Sequence, residues 1–224
     1  MSEWWTYTLS DFLLFSARTY YRLFEVYNSE IWPAQVLALA LGFATLVCLF
    51  RTEAWRGRIV AAILAVCWLW VAWAFHVERY ATINWVANYF AAGFMIEAAL
   101  LMWIGAIRGQ LHFNPTGNAS HLVGFGMFLF ALLFQPLIGA LAGRPWLQAE
   151  IFGIAPDPTV VATLGVLLLT SNRIYRVLLP IPVIWCGISG ATLWTMEAPD
   201  ALIMSFAALL TLILTAWKAR LPSA

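Results

Sequence analysis

The chain has 224 residues, of which 63% are hydrophobic and only 10% charged, with a formal net charge of +1. A soluble domain carries about 25% charged residues, so these proportions exclude a water-soluble globule. With one lysine, Lys218, and no basic cluster, they also exclude a nucleic-acid-binding surface.

Residues 1–30 read as an extracytoplasmic segment. In SDFLLFSARTYYRLFEVYN, Phe12, Leu13, Ser16, Tyr20, Leu23, Phe24 and Tyr27 recur at helical spacing, and Asp11, Arg18, Arg22 and Glu25 form the opposite stripe. This predicts an amphipathic helix lying in the headgroup layer. It either packs against the outer ends of the membrane helices or lids an outer vestibule. No basic start and no unbroken apolar core mark a cleavable signal peptide here.

Crossing the hydrocarbon takes about 20 apolar residues. Runs of that kind are Ile31–Phe50, Ile59–Val77, Ile83–Ile107, His121–Ala142, Pro158–Ser171, Val177–Thr195 and Ala201–Trp217. The expected fold is therefore an all-α integral membrane protein with seven transmembrane helices over 31–217 and a short cytoplasmic tail, 218–224. The fifth run is short and either starts inside the membrane or flanks a thinned region. Arg51, Arg56, Arg58, Arg108, Arg173, Arg176, Lys218 and Arg220 fall on one side with Glu53 as its only acid, while most acids fall on the other. Basic residues collect on the cytoplasmic side. The N-terminus is thus expected outside and the C-terminus inside.

Punctuation supports these boundaries. Asp157-Pro158 is read as a cap and first helical position, and Asn28-Ser29 and Asp200 as caps of the first and last spans. Pro180 and Pro182 fall in a first turn, where proline costs little. Pro136 sits late in the fourth span and should kink it. The spacings Ala34/Ala38/Gly42 and Gly187/Ala191 suit close helix contact.

Glu97 is the one acid deep in a span, where a charge costs roughly 2.5–3.5 kcal/mol. The escapes are protonation or pairing, and protonation is simpler because the charged candidates lie at helix ends. Asn84, Asn88, Ala91, Met95 and Ala99 share one side of that span, and Glu97 lies half a turn from Asn88. Two faces with polar or small residues place the third span centrally. Glu97, Asn88, Gln35, Gln135 and Asn84 are the candidates for a solute or proton path; the rival role for each is a hydrogen bond that locks neighbouring helices.

Other chemistry is sparse. Cys48, Cys67 and Cys186 are far apart in apolar runs and read as small core residues. His76 lies a membrane thickness from His112 and His121, so it joins neither in ligating one haem; no metal site and no cofactor are expected. Trp4, Trp5, Trp32, Trp55, Trp85, Trp146, Trp194 and Trp217 form an interfacial belt. Lys218 lies at a helix end, which argues against a retinal Schiff base. No Walker loop, nucleophile elbow, H-E-x-x-H or paired carboxylate points to an enzyme.

The stretches YNSEIWPAQ (27–35), GRIVAAILAVCWLWVAWAFH (57–76), Ile83-Asn84 and FGIAPDPTVVATLGVLLL (152–169) together resemble an uncharacterised family of bacterial multi-pass inner-membrane proteins. The resemblance implies a bacterial inner-membrane location and no established activity. Where the family pattern reads Pro-Cys-Pro-Thr, this chain has Pro156-Asp157-Pro158-Thr159, so no thiol is required there. The expected function is a channel or transporter for a small solute, a cation or protons. The alternative is a non-transporting membrane subunit that organises a partner complex or binds lipid or an apolar ligand. The expected partners are the lipid bilayer and either further copies of the chain or a membrane partner subunit.

Overall fold

The computed structural model describes residues 15–51, 53, 55–113 and 119–220. Among them the chain is helical, with one isolated bridge between Phe113 and Thr170 and no strand. Five helices are long and apolar enough to cross a membrane, and a bent pair brings the number to six.

That pair is α1 (Ala17–Glu30) and α2 (Ala34–Phe50), which meet at 91°. Pro33 stands between them, and its missing N–H ends the first helix. Ser16 caps α1 by accepting a hydrogen bond from the Thr19 amide. The buried stripe is the one read from the sequence: Tyr20, Leu23, Phe24 and Tyr27. Ser16, read as part of that stripe, is exposed, and the rest of it, Phe12 and Leu13, lies with residues 1–14 outside the described residues. So do 114–118, the FNPTGNAS loop's centre, and 221–224 of the tail. Asn28 does not cap α2; its amide donates to the Leu147 and Ala149 carbonyls at 2.8 and 2.9 Å. Together with Tyr27 Oη donating to the Ile154 carbonyl at 3.0 Å, it ties α1 down over the 145–155 loop.

Three long helices contain a wide π turn. α3 (Arg56–Trp70) continues through Val71–Val77, α4 (Ala87–Leu100) through Leu101–Ile107, and α5 (Ala119–Leu129) through Phe130–Phe134 into α6 (Gln135–Leu141). The last has a visible cause. Pro136 cannot donate to the carbonyl one turn back, and the wide turn just before it absorbs the mismatch. A short α8 (Tyr175–Leu178) precedes α9 (Pro180–Thr195), which opens with Pro180 and Pro182, and α10 (Ala201–Arg220) closes the bundle.

The centre of the bundle is α7 (Pro156–Leu169), all 14 of whose residues are buried. A helix that is apolar all round belongs in an interior. This corrects the expectation that the third span is central: α4 exposes Met95 and Ile96 on its outer face. At about 1.5 Å per residue α7 is roughly 21 Å long, short of the hydrocarbon thickness of about 30 Å. Its neighbours gather at its C-terminal end. Lys218 Nζ donates to the carbonyls of Thr170 and, at 3.4 Å, Leu168, placing a cation at the negative helix terminus. The Ser171 amide donates to the His112 carbonyl at 2.7 Å. Arg56 donates to the carbonyls of Phe113 and Arg51, and Arg58 to those of Ala106 and Ile107. Basic residues at this end therefore satisfy carbonyls that the helix ends leave unpaired.

Two helix backbones meet closely where α5 and α7 pack. A Cβ on Gly165 would stand 2.6 Å from the Gly124 carbonyl oxygen, and the reverse is also true. On α2, Gly42 faces Leu132 and Phe152. The Gly187/Ala191 spacing, by contrast, faces outward; on α9 it is Gly190 that touches a neighbour, Ser205 of α10. Trp32, Trp55, Trp85, Trp146, Trp194 and Trp217 are exposed, as are Trp70, Trp73 and Trp103, whereas Trp68 and Trp185 are buried.

Candidate functional site

The richest polar chemistry lies at the α1 end of α7. The chain leaves α6, turns at Gly143 with φ +82°, and carries Arg144 and Glu150 back over the bundle. α7 then begins Pro156-Asp157-Pro158, and Asp200 stands just before α10. Arg144 donates to Asp200 Oδ2 at 2.9 Å and approaches Glu150 Oε1 at 3.8 Å. Its guanidinium also lies over the Tyr21 ring of α1, 4.1 Å from the centroid, a cation–π arrangement. Gly139 makes room for it, since a Cβ there would stand 3.1 Å from Arg144 Nε.

Asp157 is not a cap, because the helix starts one residue earlier, at Pro156. Its carboxylate instead accepts from Trp185 Nε1 at 2.8 Å and from Ser189 Oγ at 2.6 Å, both on α9. Asp200 likewise spends a carboxylate oxygen on Arg144 rather than on the start of α10. Between these side chains is a cavity of about 10 Å³ lined by Gln135, Glu150, Asp157 and Asp200. That is about the space one water needs.

Three carboxyls thus gather around a buried space with one guanidinium, which reaches Asp200 and Glu150 while Asp157 is held by Trp185 and Ser189. If all ionise, two negative charges go uncompensated, which a low-dielectric interior tolerates poorly. Glu150 shows the consequence. Burial pushes its carboxyl well above the ordinary range, Asp157 and Asp200 push the same way, and Arg144 opposes them. A carboxyl whose folded-state pKa is raised binds its proton more tightly when folded. Its stabilisation is present below the unfolded value and is lost as pH rises through the folded one. The purified protein is expected to melt at a lower temperature at pH 8 than at pH 5, and Glu150→Gln to flatten that slope. An unchanged slope in the variant would assign the pH dependence to other groups.

The candidates read from the sequence are distributed unevenly around this cluster. Gln135 lines the cavity, and its Oε1 accepts no hydrogen bond from the described residues. Gln35 is buried and donates to the Asn28 carbonyl at 2.6 Å, so it reaches the Glu150 loop through Asn28. Asn84 opens α4 by accepting from the Val86 amide at 3.1 Å. Asn88 is exposed on the outer face of α4 and bonds locally to the Trp85 carbonyl. Glu97 is fully buried within protein, yet among the described residues neither carboxyl oxygen has a hydrogen-bond partner, Asn and Gln side chains included. His76 is also fully buried, in edge contact with Phe94 and Trp185 at 4.6 and 5.0 Å between ring centres. Trp185 therefore touches His76 with its ring and Asp157 with its N–H.

Sequence reading missed Arg144, Glu150, Asp157 and Asp200 as a site. The signal was the charge sorting itself, which assigned all four to one side of the membrane. Among the described residues, no group of three His, Cys, Asp or Glu side chains is arranged to hold a metal ion.

One family model, described as a family of unknown function (DUF6064), matches residues 17–224. No curated protein and no solved structure matches the chain.

Proposed function

The chain belongs to the DUF6064 family, whose description assigns no activity, and from the geometry of its buried acids we propose that it is a membrane channel or transporter for protons or a small cation. The observation that carries this reading is three carboxyls gathered around a water-sized cavity with one guanidinium that pairs with two of them. Such a cluster lacks positive charge. A cation entering the cavity supplies it directly; a proton does the same by neutralising a carboxyl. Ionisable groups inside membrane bundles characteristically mark ion pathways. Glu97, buried on α4 without a partner, gives a second protonation position deeper in the bundle.

The setting we propose is a bacterial inner membrane, crossed seven times by α2, α3, α4, α5–α6, α7, α9 and α10. The N-terminus and the acid cluster face outward, and Lys218 lies on the cytoplasmic side. The gathering of Arg56, Phe113, Thr170 and Lys218 at one end supports this orientation, because basic residues favour the cytoplasmic side. α7 crosses as the short span, lengthened by the loop residues bonded to its two ends. The second reading, a non-transporting subunit, draws on exposed apolar residues of α2 and α10 such as Phe43, Leu202 and Phe206, which suit a partner helix as well as lipid.

Reconstitution separates the two. In liposomes holding a pH-sensitive dye, an imposed inside-negative potential should drive proton or cation entry. Asp157→Asn is expected to cut that flux by an order of magnitude or more, and Glu97→Gln to reduce it. A folded protein that carries no flux and co-purifies with a stoichiometric membrane partner would hand the case to the second reading. Flux indifferent to both substitutions would remove these acids from the path.

A further inference from the structure

A groove of about 560 Å³ runs between α5–α6 and α10, walled by Met127, Phe130, Phe206, Ala207 and Leu210. Its volume falls in the range of roughly 300–1,000 Å³ typical of small-molecule sites. It opens on the lipid-facing surface, where Phe206 is exposed. Gly126 also lines it, and a Cβ there would meet nothing within 4 Å. Asp200 is the one charged residue in this otherwise apolar wall.

Asp200, Ile138 and Ile203 also line the polar cavity of the acid cluster. The apolar groove and the charged cavity therefore share a wall. Asp200 Oδ2 is occupied by Arg144, but its Oδ1 is buried and accepts no hydrogen bond among the described residues. Behind it stand Glu150 and Asp157.

We propose that this groove binds an amphiphilic amine: a protonated amino head at Asp200 Oδ1 and an apolar tail along α10, entering sideways from the bilayer. Each half of the ligand follows from what it meets. The tail replaces apolar contacts with lipid by apolar contacts with protein. The head supplies a donor to an unmet acceptor and a positive charge to a cluster short of one. An anionic head is repelled by the same carboxyls, and the phosphodiester of a bilayer lipid carries that penalty with it. An alcohol of equal length gains a hydrogen bond but no charge attraction. The inference rests on the transport reading in that the amine is then the cation carried.

Binding of dodecylammonium to the full chain in phosphatidylcholine nanodiscs, followed by equilibrium dialysis, tests this. Saturable binding at one site is expected, with dodecanol and dodecanoate at least about tenfold weaker. Asp200→Asn should abolish the preference for the amine over the alcohol. Because that variant also disturbs Arg144, Gly126→Phe is the independent check: it fills the groove away from the acids and should weaken dodecylammonium binding by at least about tenfold. Equal affinity for amine and alcohol, binding indifferent to Gly126→Phe, or a co-purified phospholipid that dodecylammonium does not displace each overturns the inference. Asp157-dependent proton flux without amine binding would sink this inference alone. Amine binding without any flux would sink the transport reading and leave the groove assignment standing.

Discussion

Arg144→Met is expected to cost about 3–5 kcal/mol of stability, the range for breaking a buried ion pair by deleting one partner. Among the described residues Arg144 is the one cation that bridges the acid cluster: it holds Asp200 at 2.9 Å and stands 3.8 Å from Glu150. Removing it strands Asp200 and Glu150 beside Asp157, with no other cation in contact among the described residues. It also removes the stack on Tyr21, through which α1 is fastened to the cluster. Methionine preserves much of the side-chain volume beside Gly139, so the loss reports charge rather than a void. The prediction has a built-in rescue. Arg144→Met combined with Asp200→Asn replaces a stranded carboxylate by a neutral amide, and part of the lost stability should return. Arg144→Lys should not rescue fully, since an ammonium lacks the planar fork that reaches two acids while lying flat on a ring. Thermal melting of the three detergent-purified variants beside the wild type measures this. A single variant that melts like the wild type would show that Arg144 does not hold the cluster together.

How far this arrangement was legible in the sequence depends on what each kind of signal encodes. The helical composition and the buried stripe of α1 were legible because amphipathic spacing carries a phase: Tyr20, Leu23, Phe24 and Tyr27 could face only one way. The break at Pro136 follows from a missing N–H. The identity of the central helix was not legible. α4 and α7 are both apolar, and in a bilayer a face turned to lipid and a face turned to protein have the same composition. The helical wheel of α4 correctly separated Asn88 from Glu97 but had no means of saying which side faced inward. Asn88 faces out and Glu97 faces in. The acid cluster was hidden for a different reason. Arg144, Glu150, Asp157 and Asp200 are spread over three chain segments that read as loops or helix caps, and loop charges are ordinarily solvated. Only the fold turns them inward, beneath α1.

Gly165→Leu should prevent folding altogether, and Gly165→Ala should already destabilise by about 1–3 kcal/mol, the usual cost of overpacking. The sign is informative, because alanine is the better helix former by about 1 kcal/mol. An isolated helix would gain from the change. In the bundle the new Cβ would stand 2.6 Å from the Gly124 carbonyl oxygen and 2.9 Å from the Phe128 amide nitrogen. Both are backbone atoms of α5, so no rotamer change relieves the clash; one helix has to move. α7 is poorly placed to do so. It is bonded to α3 through Trp68 and Thr163, to α9 through Asp157 with Trp185 and Ser189, and to α10 through Thr170 with Lys218. Any displacement that clears Gly124 strains these contacts together, and with them the geometry of the acid cluster. Gly126→Ala is the control. It lies two residues from Gly124 on the same helix, yet its Cβ enters open space, so the helix-propensity gain should appear without a penalty. Size-exclusion profiles and melting temperatures of the three variants should therefore rank Gly126→Ala at or above the wild type, then Gly165→Ala, with Gly165→Leu yielding no monodisperse protein. A Gly165→Ala variant as stable as Gly126→Ala would mean that α5 and α7 are not in backbone contact, and that the short helix is held by its ends alone.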